Sequence, residues 1–415
     1  MPSRLVRPAS AIRPASAIRP ASTVRYARKR IDISPTDLAF GLVACLSHPA
    51  SDEVTRRLVS TWHPQEAVVP CLSVRSGFDL LLASVDWPPG SEVLLSAVTI
   101  PHMAALVRHH GYVPLAVDVD PATMELDIEA LLSACSDRTR ACVFSHLFGA
   151  RLDITALAVA ARSAGLLLIE DRAQCYAGGH QALGDADIAM YSFGTIKTAT
   201  CIGGGVLLVR DPLLRERMQS RQRSYPRQSS LSYATKLAKT AVLLGVGTPA
   251  VYGMFTRALD RLTGDYDRVV RDLTRGFDDR SLLTRIRRRP CTALLAMMAR
   301  RCATYDPTRV EARRRAGDHL AASLDPAVVH LGGAASTHNH WLFPVVSGRP
   351  AALVAAGRAA GFDLTCGSST LVALDAACTR ADLAMRNVVY LPAYDGMPEA
   401  ALTALAEVVN TVERV

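Results

Sequence analysis

From about residue 70 onward the chain alternates short apolar runs with stretches whose apolar residues fall three and four apart. Short unbroken apolar runs bounded by turn residues predict buried strands, and the three-and-four spacing predicts helices with one wet face. Strands are expected at 93–95, 113–117, 141–145, 166–170, 188–192 and 206–209, with helices over 102–110, 124–135 and 153–164 between them. Regular strand–helix–strand alternation implies an α/β fold whose mostly parallel central sheet is flanked by helices on both faces. Sheets of this kind hold their ligands beyond the C-terminal ends of the strands, so chemistry is sought there.

The pattern changes outside this region. Residues 7–12 and 13–18 both read RPASAI and 19–24 read RPASTV, a repeat of proline and small residues that cannot build a core. Residues 1–30 are therefore expected to form a disordered low-complexity leader. It is basic and without acids, but has no apolar run of the secretory kind. Residues 31–320 would form the large domain, with a helical, arginine-rich insertion over about 211–320. Residues 321–415 would form a smaller C-terminal α+β domain, with elements at 340–345 and 350–361 and a last helix from Pro398. Residues 241–255 carry no charge and are flanked by Lys236, Lys239 and Arg257. Broken by Gly245, Gly247 and Pro249, they fall short of the about 20 residues a membrane span needs. A buried or dimer-interface segment is expected, with peripheral membrane contact as the alternative.

Composition changes this picture little. Of 415 residues 49% are hydrophobic and 20% charged, which suits a globular chain of two domains. Ten cysteines are scattered from Cys45 to Cys378 without a CxxC pair, a pattern of reduced thiols in a cytoplasmic protein that points to no metal. The net charge of +9 comes mostly from arginine, and no nucleic-acid-binding motif accompanies it, so no nucleic-acid partner is expected. Only four of the 47 basic residues are lysines, Lys29, Lys197, Lys236 and Lys239, which makes each worth weighing.

The candidate chemistry lies between 166 and 205. An apolar strand delivers Asp171 at its C-terminal end, where a carboxylate can hold a ring nitrogen protonated. Gln174 follows as a hydrogen-bond donor. Lys197 comes 26 residues after Asp171, behind another apolar strand. In a dry pocket its amine loses its proton and can form an imine. Ser192 offers a hydroxyl to a phosphate, and Gly203, Gly204 and Gly205 allow a tight turn. Upstream, Ser76 and Gly77 sit where a helix opens, a place that suits a phosphate.

Taken singly these features are ordinary caps and turns; their order is not. IEDRAQ at 169–174, SFGTIKTATCIGGG at 192–205, SHLFGARLD at 145–153 and the VDVD run ending at 120 together resemble the DegT-like sugar aminotransferases. The resemblance covers about residues 70–225. It implies the fold of type I pyridoxal-phosphate transferases, with Lys197 forming the imine to pyridoxal 5'-phosphate and Asp171 on the pyridine nitrogen. It further implies Gln174 at the phenolic oxygen, Ser192 on the phosphate, and Ser76 and Gly77 at the first phosphate turn. Two departures stand out: Phe78 follows Gly77 where the family carries a hydroxyl, and Ile100 stands where an aromatic residue stacks on the cofactor. His102 is the candidate to stack in its place.

The expected activity is amino transfer from glutamate or glutamine to a keto group of a nucleotide-linked sugar or related polyol, in a homodimer. A dehydratase of this lineage would carry histidine in place of Lys197. The reading from another class is a catalytically silent binding or regulatory protein that keeps the fold, with membrane association as a variant of it.

Overall fold

The computed structural model describes residues 25–179, 181–263, 282–366 and 370–414. Seven strands form the main sheet. In spatial order they are Val68–Cys71, Gly205–Val209, Ile188–Ser192, Leu167–Asp171, Thr139–Ser145, Glu92–Ser96 and Val113–Val117. Gly205–Val209 runs against both its neighbours, and every other pairing is parallel. The strands are apolar at nearly every position because both faces are covered. Val93, Leu95, Val143, Ile169 and Leu207 pack on one side with the helices Val74–Leu82 and Pro101–His109. Leu94, Cys142, Phe144 and Leu168 pack on the other. This is the α/β architecture with a mostly parallel sheet that the sequence pattern predicts.

The six expected strands are all present, and the helix expected at 102–110 is Pro101–His109. The helix expected at 124–135 is shorter, Ile128–Ser133. Its predicted start is a turn in which Met124 takes a positive φ of 66°, and Asp127 caps the helix by accepting from Ala130 N–H at 3.0 Å. Likewise 153–164 begins at Thr155, since the Asp153 carboxylate ties the preceding turn.

The three strands Val329–His330, Phe343–Val346 and Val388–Leu391 form a small antiparallel sheet. It packs with the helices Thr308–Ser323, Pro350–Ala359 and Glu399–Glu413 around Phe343, Leu353, Leu364 and Leu405. Residues 1–24 of the expected leader lie outside the described residues. Residues 25–30 are not loose: Arg25 N–H donates to Pro249 O at 3.0 Å, Tyr26 stacks on Phe362 at 5.6 Å, and Arg28 pairs with the buried Asp363. The packed chain thus begins ahead of the boundary expected at residue 30.

The 241–255 stretch spans the end of Ser230–Val246 and the start of Pro249–Thr263, two helices meeting at 103°. No single helix among the described residues is long and apolar enough to cross a membrane. Burial is corrected here: Val242 is 68% exposed and Met254 59% exposed in the single chain.

Candidate active site

Strand ends bring the candidate residues together. Asp171 ends its strand, Lys197 follows Ile188–Ser192, and Ser73 follows Val68–Cys71, all along the C-terminal edge of the parallel strands. The antiparallel strand closes the assembly. Gly205 pairs with Ser192 on one side and Cys71 on the other, so the two serine-bearing segments lie next to each other. A Cβ on Gly205 would stand 2.8 Å from both Ser73 C and Val74 N, so only glycine lets this turn come so close.

The helix Val74–Leu82 is capped by Ser73, whose Oγ accepts from Ser76 N–H at 3.2 Å and lies 2.9 Å from Ser76 Oγ. Gly77 N–H already donates to Ser73 O at 3.0 Å, and a Cβ on Gly77 would run into Leu207. Gly77 therefore seats the helix on the sheet. The Val74 and Arg75 N–H groups and the Ser76 hydroxyl lie at the positive end of the helix, a place that suits an anion. Phe78 is wholly buried beneath the sheet, so its lack of a hydroxyl is a matter of packing.

Burial sets the electrostatics. Loss of water pushes the Lys197 amine down to about 7; Asp171 opposes the shift and Arg75 adds to it. Asp171 is raised above the usual carboxylate range by burial, while the Ala173 N–H at 2.9 Å, Lys197, His146 and Arg75 pull it back. A lysine at the edge of deprotonation thus faces a carboxylate that would be stabilised by one more cation. Ser192 Oγ and Lys197 Cγ both approach Gly194, which puts hydroxyl and amine stem on one side of the loop.

Gln174 is placed less as expected than as a brace: its Oε1 accepts from Phe148 N–H at 2.8 Å, which leaves the amide nitrogen as the donating end. His102 opens the helix Pro101–His109 and its Nδ1 accepts from Arg75 Nε at 3.2 Å. That contact ties it to the Arg75–Asp171–Lys197 group. Ile100 is the residue before this helix and packs into the core on both sides of the sheet.

Several site residues were not singled out from the sequence, although His146, Glu170 and Arg172 lie inside its SHLFGARLD and IEDRAQ motifs. His146 donates through Nε2 to Glu170 at 2.6 Å, its Nδ1 accepting from Leu152 N–H, and Glu170 also takes Arg172 at 2.6 Å. This buried network underlies Asp171, whose backbone carbonyl accepts from His146 N–H at 3.0 Å. Trp341 comes from the far end of the chain; its Nε1–H donates to Ile196 O at 3.0 Å, and Lys197 Nζ lies 3.9 Å from its ring centre. Lys29 Nζ lies 3.4 Å from the same ring. Only the scarcity of lysine pointed to Lys29.

Residues 49–243 match the model of the DegT/DnrJ/EryC1/StrS aminotransferase family. Over 195 residues the chain is 32% identical to the L-glutamine:2-deoxy-scyllo-inosose aminotransferase of Streptomyces kanamyceticus, a match covering 46% of each chain. Over 155 residues it is 31% identical to a pleiotropic regulatory protein of Geobacillus stearothermophilus, covering 36% of this chain and 41% of that one. The chain thus aligns with less than half the length of these curated relatives. In three dimensions it is similar to the aminotransferase TlmJ from Streptoalloteichus hindustanus, with a TM-score of 0.67 and 19% identity over 94% of this chain and 97% of that one. At that identity the likeness is one of fold.

Proposed function

We propose that the chain, whose residues 49–243 match the model of the DegT/DnrJ/EryC1/StrS aminotransferase family, is a pyridoxal-phosphate-dependent aminotransferase that aminates a keto group on a sugar or polyol. The observation that carries this is Lys197, a half-buried amine with its pKa lowered to about 7, in the field of the half-buried Asp171. The residues present suit the cofactor. Asp171 would take its ring nitrogen, Lys197 its aldehyde, and Ser76, Ser192 and the Val74 and Arg75 N–H groups its phosphate. Gln174 and His102 would stand near its ring.

Bound there, pyridoxal phosphate supplies an electron sink for the bond broken at the amino-bearing carbon. The chain's own residues do the rest. Lys197 Nζ, close to neutrality at physiological pH, takes the proton from the donor's carbon and returns it on the other side of the transfer. Asp171, costly to ionise alone, is stabilised as a carboxylate by a protonated ring nitrogen and so keeps that proton in place. Arg75 repels the Lys197 ammonium and helps hold the amine neutral.

Glutamine as donor is supported by the name of the S. kanamyceticus enzyme; glutamate as the other donor, a nucleotide-linked sugar as acceptor and a homodimer as the working form are proposed with it. A second reading, a cofactor-holding protein without turnover, is favoured by the likeness to the regulatory protein of G. stearothermophilus. The absorption spectrum decides the core of the proposal. A yellow band that bleaches with glutamate or glutamine in the wild type, and is lost in Lys197→Ala, supports the transaminase. A protein that takes up cofactor yet neither bleaches with any donor nor aminates any of a panel of keto-sugars is the silent form.

A further inference from the structure

A pocket lies on the small-domain side of Trp341, between the N-terminal segment and the start of the helix Thr308–Ser323. Five cationic side chains line it, against the two carboxylates Asp32 and Asp395. Most of that negative charge is already committed. Asp32 Oδ2 accepts from Ala199 N–H at 2.9 Å and Tyr305 OH at 2.8 Å, and its Oδ1 pairs with Arg309 at 2.7 Å. Arg309 also reaches Asp395 at 3.6 Å, and Arg28 is held by Asp363.

Asp32 acts on both Lys29 and Arg313, and Asp395 on Arg313, but neither side chain hydrogen-bonds to a carboxylate among the described residues. Lys29 Nζ donates to Trp341 O at 2.9 Å, a neutral acceptor. Its pKa is held well below the usual lysine range, by burial first and then by repulsion from Arg313 and Lys197. Arg313 is 9% exposed; its Nε donates to Asn339 O at 2.7 Å and its Nη1 to Thr198 Oγ1 at 3.2 Å. Its Nη2 is buried and without a hydrogen-bond partner. Two neighbouring basic side chains, Arg313 buried and Lys29 half-buried, whose hydrogen bonds go to neutral oxygens, are a costly arrangement in their charged forms unless something anionic joins them. Arginine's fork and lysine's point charge together match a carboxylate or a phosphate.

We propose that the pocket bounded by Lys29, Arg313 and Trp341 is an oxyanion site, which takes a carboxylate or phosphate group of a reactant. Its place gives it a use. Trp341 lies against both Lys29 and Lys197, and Arg313 is fixed to Thr198, the residue after Lys197. An oxyanion held there tethers its molecule one indole away from the reacting amine, and binding at such a remote group can orient the reacting carbon. That the oxyanion belongs to a reactant rests on the transaminase reading; that the pocket takes an oxyanion does not.

The test uses the full chain loaded with pyridoxal phosphate, so that the phosphate turn at Ser76 is filled. Glutarate and inorganic phosphate are titrated separately against chloride at equal ionic strength, followed by tryptophan fluorescence and by melting temperature. Saturable binding of at least one probe is expected, weakened tenfold or more in Lys29→Gln and in Arg313→Gln and largely restored in Arg313→Lys. A glutarate response assigns the site to a donor's carboxylate, and a phosphate response assigns it to a phosphorylated acceptor. Should Arg313→Gln fail to fold, Lys29→Gln alone decides. Equal affinities in wild type and Lys29→Gln, or no binding beyond chloride, overturn the proposal. If the chain does not retain cofactor, the titration on the free protein is read as the difference between wild type and Lys29→Gln. In turnover, Lys29→Gln should raise KM for the anchored reactant tenfold or more and leave kcat within threefold.

Discussion

At Lys197 stability and chemistry pull in opposite directions. Its amine titrates near 7 when folded and near 10.5 when unfolded, so between those values the unfolded chain holds the extra proton. Stability of the cofactor-free protein therefore rises with pH through that window, by up to about 1.4 kcal/mol per pH unit from this group. Lys197→Met removes the penalty. The variant should melt several degrees higher than wild type at pH 7, both free of cofactor, and should lose amino transfer. The gap should close as pH approaches 10. A variant that melts lower at pH 7 would show that the amine is not under strain. At Gly205 the constraint is steric: the atoms a Cβ would meet are backbone, which cannot swing aside. Gly205→Ala is expected to cost about 1–3 kcal/mol in a urea titration. Because it pushes on Ser73 and Val74, it should also weaken cofactor affinity. Gly205→Ala with unchanged affinity would separate the turn from the phosphate.

Elements were legible where one periodicity held without interruption. The six apolar runs became strands, five of them mostly buried and Val113–Val117 a half-buried edge strand, and helix bounds moved where an aspartate cap or a positive φ intervened. The strand Val68–Cys71 was not expected. Its VVPC sequence is short and contains a proline, and it becomes a strand because it lies at the sheet's edge, paired on one side only. The small sheet carries a feature that no periodicity announces. His330, His338 and His340 crowd together, with His338 and His340 ring centres 4.2 Å apart. Burial and mutual repulsion push His330 down to about 3 and His338 to about 2, so both are neutral when folded. Below about 6.5 the unfolded chain binds these protons and the folded one does not. Stability is therefore fully present above about 6.5 and falls as pH drops toward 3, by about 1.4 kcal/mol per unit for each ring. His338→Asn keeps an acceptor for His340 N–H, which Nδ1 now takes at 2.9 Å. Its loss of urea midpoint between pH 7 and pH 4.5 should be smaller than that of wild type. Parallel losses would mean that carboxylates alone set the acid limb.

At the scale of the molecule, much of the proposed cofactor site was readable because Asp171, Gln174, Ser192 and Lys197 lie on one continuous stretch, 166–205. The pocket behind Trp341 was not, since it joins residues 28–32, 305–313, 341–343 and 391–395. What joins them is the N-terminal segment. It reaches the neighbourhood of the three-stranded sheet through Arg28 Nε and Nη2 to Asp363 at 2.8 and 2.9 Å, and the loop after Lys197 through Asp32 to Ala199. Asp363 is itself wholly buried and also accepts from Tyr252 OH at 2.5 Å, so helix Pro249–Thr263 is held at the same carboxylate. Such a junction fixes where Lys29 stands. Asp363→Ala leaves Arg28 buried without its partner, a loss of about 3–5 kcal/mol by the usual cost of breaking an enclosed ion pair. The segment should then open to proteases near Arg28 and Lys29 at temperatures where wild type resists. Oxyanion binding should weaken together with the melting temperature. Faster cleavage with undiminished binding would mean that Arg313 holds the anion without Lys29, and that the segment only covers a pocket formed by the rest of the chain.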